Sequence, residues 1–193
     1  EKNADVIKRY PALAEAIHAM ASVSVRNMGT LGGNFCNASP VADAVGPVMC
    51  YNGFVNIANK LGTHQADATD FFLAPGVTVM KVDEILTSVG IPAPAANTGA
   101  AFIKIGRVKS DIAKISICVV IERDGDTVKN CRMSMGSVAA RPLFLKDIAT
   151  ALVGKKMTEA LVMETAQQIS DFIKPITDNR TTAEYRKDLA KVD

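Results

Sequence analysis

Pro92 and Pro94 split this chain. Lying within residues 92–98, they can neither donate to a strand ladder nor continue a helix, and the hydrophobic pattern differs on their two sides. Downstream, residues 101–105, 112–122 and 127–138 read as three strands, the last two joined by a hairpin turn at Asp124-Gly125-Asp126. Helical segments follow at 141–153, 159–173 and 183–192, with Gly154 as a stop and Thr158 as a cap. Three neighbouring strands followed by three helices imply an α+β unit. The proline run therefore marks a boundary or a crossover between the two patterns.

Upstream, Val6, Ile7, Tyr10, Leu13, Ala14, Ile17 and Met20 recur at helical spacing, and Pro11 is placed to open a second helix. Residues 22–40 lose that period and, rich in Gly, Ser and Asn, read as an irregular ordered loop. Ser39-Pro40 then marks a capped helix start for 41–51. Residues 54–58 alternate like a strand, 67–73 suit a short helix, and 85–91 form a strand ending at Pro92.

Composition narrows the function. With 48% hydrophobic and 22% charged residues the chain can bury a core. A net charge of +2, 5% aromatic residues and no Trp point away from nucleic acid. Cys36, Cys50, Cys118 and Cys131 stand apart with no CxxC pair, so neither a metal site nor a disulfide framework is expected, only free thiols in a reducing cytoplasm. No signal peptide is visible, and no apolar run approaches the roughly 20 residues of a membrane helix. His18 and His64 belong to no nucleophile–base pattern, so no catalytic residue is assigned. The chain opens on Glu1 rather than Met, and a fragment or a cleaved chain is expected.

One segment carries chemistry. Thr30-Leu31-Gly32-Gly33-Asn34 joins two glycines to short polar side chains, followed by Asn37, Ser39 and Asp43. Glycine lets a backbone come close to phosphates and offer clustered N–H donors. The spacing is neither GxGxxG nor a P-loop, and no strand precedes it. On composition alone the segment is either a structural loop with a Gly-Gly turn or a phosphate or cofactor loop.

The longer run Arg26-Asn27-Met28-Gly29-Thr30-Leu31-Gly32-Gly33-Asn34, continuing through Cys36, Asn37, Ala38-Ser39-Pro40 and Asp43, resembles R-N-x-G-T-x-G-G-N-x-x-x-A-S-P-x-x-D. That motif belongs to the FAD-binding medium subunits of molybdenum hydroxylases, as in carbon monoxide dehydrogenase and the flavin domain of xanthine dehydrogenase. Three further segments match in order. Asp70-Phe71-Phe72, with Glu84-Ile85-Leu86 and Ile91-Pro92, resembles D-F-F … E-I-L … I-P. Phe102, Lys104 and Asp111-Ile112-Ala113 resemble F-x-K … D-I-A. Asp178, Arg180 and Glu184-Tyr185-Arg186 resemble D-x-R … E-Y-R.

The resemblance implies an α+β fold, the second half of a two-subdomain FAD-binding fold (residues 1–96), followed by a three-stranded antiparallel sheet with a helical bundle (residues 97–193). It implies that Thr30, Gly32, Gly33 and Asn34 hold the pyrophosphate and ribityl oxygens. Asn37 and Asp43 would take further polar atoms, Leu86 would pack on the isoalloxazine, and Lys104 would stand by its pyrimidine side. Taken without the family, Leu86 reads as strand core, Lys104 as a solvated lysine and Asp43 as a helix-dipole partner.

The resemblance also implies partners: a large molybdopterin-binding subunit that hydroxylates substrate and a small [2Fe-2S] subunit that relays electrons to FAD. The flavin would pass them to an acceptor such as NAD or a quinone, making the chain a cytoplasmic oxidoreductase subunit. Family members carry an earlier A-G-G-T loop in a first flavin subdomain. Nothing like it precedes residue 22, so half of the site is expected here and half in a separate chain or a missing segment. Two alternatives are a scaffold that docks partner subunits without flavin and a stand-alone FAD reductase of the cell-wall-precursor type.

Overall fold

The computed structural model describes residues 1–192. The chain begins with paired short helices, α1 (Ala4–Arg9) and α2 (Pro11–Ala19). Asn3 caps α1 by accepting from the amides of Asp5 and Val6, and Pro11 opens α2. Ala12, Leu13 and Ala16, one helical face of α2, are buried.

Residues 22–40 are more regular than their composition predicts, because each stretch finds its own cap. Ser22 caps α3 (Val23–Met28), and Thr30 caps α4 (Leu31–Cys36). The glycine segment is therefore the first turn of a helix rather than an irregular loop. The next helix, α5 (Val45–Cys50), starts later than Ser39-Pro40 suggested. It is buried at five of six positions, so packing decides where it begins.

β1 (Phe54–Asn59) and β2 (Gly62–Asp67) form a hairpin, and β5 (Ile85–Gly90) pairs on the other side of β1, giving the order β2-β1-β5. Between them β3 (Phe72–Ala74) and β4 (Val77–Thr78) make a small antiparallel ribbon turning at Gly76, whose φ is +72°. The helix expected at 67–73 does not form. Asp67 pairs with Phe54 across β1–β2, and Phe71 and Phe72 are fully buried against Phe35.

The second sheet has the order β6-β7-β8-β9, built from β6 (Thr98–Ile105), β7 (Ile115–Asp124), β8 (Thr127–Gly136) and β9 (Leu143–Phe144). The β7–β8 hairpin turns where expected, with Gly125 at φ +57°. The α+β class stands, with four antiparallel strands in place of three. The fourth comes from the expected helix 141–153. Leu143 and Phe144 pair with Met135 and Ser134, which leaves only α6 (Lys146–Thr150) helical there. α7 (Glu159–Phe172), capped by Thr158, and α8 (Ala183–Val192) complete the chain.

The central strand β7 is covered on both faces, as its period of two demands. Cys118 and Val120 face the core that contains α2, α5 and Phe35. Ile115, Ile117, Val119 and Ile121 face the core beneath α6, α7 and α8. The two units of the sequence thus share one sheet face. Among the described residues no helix is long and apolar enough to cross a membrane.

Candidate cofactor cleft

On α4 the neighbours crowd Gly33 and leave ordinary contact room at Gly32. A Cβ on Gly33 would stand 3.0 Å from Thr30 Oγ1, and one on Gly32 would touch Leu86 Cδ2 at 3.4 Å. Thr30 Oγ1 accepts from the Gly33 amide at 2.9 Å, which occupies a lone pair and leaves its O–H to donate. The amides of Leu31 and Gly32 precede any intrahelical acceptor, as in every first helical turn. Asn34 follows, its Oδ1 shut from solvent and without a partner.

Of these residues Thr30, Leu31, Gly33 and Asn34, but neither Gly32 nor Leu86, line a cleft of about 860 Å³. Thr30, Gly33, Asn34 and Asn37 stand on one side, with Ile17, Met20 and Ala44 across from them. Arg26 also reaches the cleft and had drawn no role from its sequence position. Its guanidinium donates to the carbonyls of Met20 (2.8 Å) and Ala21 (3.0 Å), tying α3 to the end of α2. Only its place in the R-N opening of the motif could have signalled it.

Asp43 and Lys104 lie apart from these four residues and engage each other. Lys104 Nζ donates to Asp43 Oδ2 at 2.7 Å and to the Ala19 carbonyl at 3.0 Å, with side chains only 5% and 8% exposed. Lys104 is therefore not the solvated lysine that the sequence alone suggested, and Asp43 is paired with it across the fold. Burial pushes the Asp43 carboxyl above its ordinary range, against the opposing pull of Lys104. Asp43 Oδ1 is buried without a partner, and one N–H of Lys104 is uncommitted among the described residues. Leu86, half-buried on β5, packs against the core that contains Phe35 and does not line the cleft.

No group of three His, Cys, Asp or Glu able to hold a metal ion occurs among the described residues. Burial raises the thiols of Cys118 and Cys131, the latter to about 11, although for Cys118 the bond from Cys50 comes first. These are packing thiols rather than nucleophiles.

Two family models match in succession. Residues 1–94 match the FAD binding domain in molybdopterin dehydrogenase, and residues 100–192 the CO dehydrogenase flavoprotein C-terminal domain. The chain belongs to this flavoprotein family. It is 28% identical over 189 residues to the glyceraldehyde dehydrogenase medium chain of Sulfolobus acidocaldarius, covering 97% of this chain and 67% of that one. It is 30% identical over 182 residues to the carbon monoxide dehydrogenase medium chain of Hydrogenophaga pseudoflava, covering 94% and 63%. A solved carbon monoxide dehydrogenase from the same organism superposes with a TM-score of 0.94 at 30% identity, covering 98% of this chain and 66% of that one. The chain thus spans about two thirds of the length of these relatives.

The cleft fits such a cofactor on its own terms. Asn34 Oδ1 is a buried acceptor lacking a donor, and a polyol supplies one. The first-turn amides and the Thr30 hydroxyl are donors lacking acceptors, which phosphate oxygens supply.

Proposed function

We propose that this chain is the FAD-binding electron-transfer subunit of a molybdenum-dependent dehydrogenase or hydroxylase of the carbon monoxide or xanthine dehydrogenase type. Residues 1–96 form the second FAD subdomain and residues 97–193 the C-terminal domain of the subunit. A large molybdopterin-binding subunit and a small [2Fe-2S] subunit are its partners, in the cytoplasm, and a first FAD subdomain completes the cleft. The observation that carries the reading is the buried, unpartnered Asn34 Oδ1 beside a capped glycine turn in a cleft of ligand size.

When bound, FAD supplies the redox chemistry, taking electrons from the iron–sulfur clusters and passing them to an acceptor. The chain's own residues bind and orient. Thr30 donates its hydroxyl, Gly32 and Gly33 let the backbone come close, and Asn34 and Asn37 take hydroxyls. Leu86 presents an apolar surface, and the Asp43–Lys104 pair keeps one free acceptor and one free N–H. No proton transfer is asked of any side chain.

The test is the visible spectrum of the protein purified with its partner subunits, with and without added FAD. Flavin absorption that titrates to one FAD per chain and is lost in Asn34→Leu is the expected result. A complex that assembles fully with no flavin band overturns the reading in favour of a docking scaffold.

A further inference from the structure

Besides the Lys104–Asp43 pair, the backbone of the segment from Ala38 to Asp43 is anchored from outside at two carbonyls. The Gly76 amide donates to the Ala38 carbonyl and the Ser137 amide to the Pro40 carbonyl, each at 3.0 Å. Ala38 (φ +46°) and Ser137 (φ +69°) both hold left-handed backbone, which is costly for residues with a Cβ and persists only when neighbours enforce it.

At Ser137 the enforcement is visible. The residue is 3% exposed and every polar group it has is used. Its amide holds Pro40, its hydroxyl donates to the Ala113 carbonyl at 3.0 Å, and its carbonyl accepts from Arg186 Nη1. Arg186, 2% exposed on α8, also donates from Nη2 to Asp178 Oδ2 at 2.8 Å. The same carboxylate oxygen receives Arg180. A buried guanidinium is expensive unless its donors are met. Here Nη1 is spent on the carbonyl of the left-handed Ser137 and Nη2 on a carboxylate of the C-terminal segment, while Nε is buried without a partner.

We propose that Arg186 is a positioning residue for the cofactor cleft, fixing the left-handed Ser137 turn whose amide anchors Pro40 and so setting the path of the chain between Asn37 and Asp43. The inference rests on the FAD reading above. It gives the C-terminal D-x-R … E-Y-R residues a task at the cleft, although they lie more than a hundred positions from the glycine turn.

The test uses the full chain with Arg186→Lys, which keeps the charge but offers a point donor in place of a fork. Two readouts are taken well below the melting temperature: FAD affinity by titration, and deuterium uptake without flavin. Arg186→Lys is expected to weaken FAD binding by about 2- to 30-fold, the range for residues that touch neither ligand yet carry coupling. It should also raise uptake at the amides of Ala42, Gly76 and Ser137. Unchanged FAD affinity, with uptake rising only along α7 and α8, overturns the proposal and leaves Arg186 as a dock for the last helix. Should Arg186→Lys fail to fold, Asp178→Asn loosens Arg186 without removing it, and the same readouts decide. If the wild-type protein takes no FAD, the cofactor reading fails by itself. Uptake at Ala42 and Ser137 then decides alone: no rise overturns the anchoring, and a rise upholds it.

Discussion

Lys104 Nζ lies 2.7 Å from Asp43 Oδ2, joining the first strand of the four-stranded sheet to the segment that follows the glycine helix. Both side chains are almost wholly buried. Removing one partner of such a pair strands the other charge, at a cost of about 3–5 kcal/mol, whereas removing both together costs much less. Lys104→Met should therefore lower the denaturant midpoint far more than Lys104→Met combined with Asp43→Asn. Urea unfolding of the two variants checks this. Equal losses would mean that the pair contributes nothing as a pair.

Asn34 should show opposite effects in the free and loaded protein. Its Oδ1 is buried without a donor, so Asn34→Leu removes an unmet polar atom that costs about 1–3 kcal/mol. The free protein should be as stable as wild type or more so. Added FAD raises the melting temperature of a protein that binds it, and that rise should be absent in the variant. Thermal melts with and without FAD measure both effects.

The Thr30 cap should matter for stability before any ligand is added. Thr30→Ala deletes the oxygen that accepts from the Gly33 amide and should cost about 1 kcal/mol. Thr30→Ser keeps the oxygen and should recover most of that loss. Equilibrium unfolding separates the two, and equal destabilisation by both would deny the cap its role.

Asp178 makes the stability acid-sensitive. Arg180 first, then backbone bonds and Arg186, hold its carboxyl well below the usual value of 3.8. A carboxylate depressed in the folded state stabilises fully above its unfolded pKa and loses that contribution as pH falls through the folded one. The loss should thus begin near pH 3.8 and deepen on further acidification. Between about pH 4 and pH 2.5 the urea midpoint of the wild type should fall more steeply than that of Asp178→Asn. Parallel slopes would show that other carboxylates dominate the acid transition.

The regular elements were legible where local chemistry and packing agree. The helices at Ala4–Arg9, Glu159–Phe172 and Ala183–Val192 and the strands at Ile115–Asp124 and Thr127–Gly136 carry their own periodicity and caps. The ribbon at Phe72–Ala74 and the edge strand at Leu143–Phe144 were not legible. Each is only two or three residues long, too short for an alternating pattern to show in the sequence. The helical character of residues 23–36 was hidden because glycine, serine and asparagine are weak helix formers. Ser22 and Thr30 supply the caps that composition cannot weigh.

The sequence by itself determined the family, the α+β class and the run of residues from Arg26 to Asp43, because ordered motifs with fixed spacing survive in the linear text. Only the tertiary structure decided which of those residues meet. Thr30, Gly33, Asn34 and Asn37 line one cleft, while Asp43 and Lys104, 61 positions apart, neutralise each other away from these four. The physical reason is burial. A charge in water needs no particular neighbour, but a charge inside a core must find its counter-charge, and that neighbour is set by how the strands and helices pack.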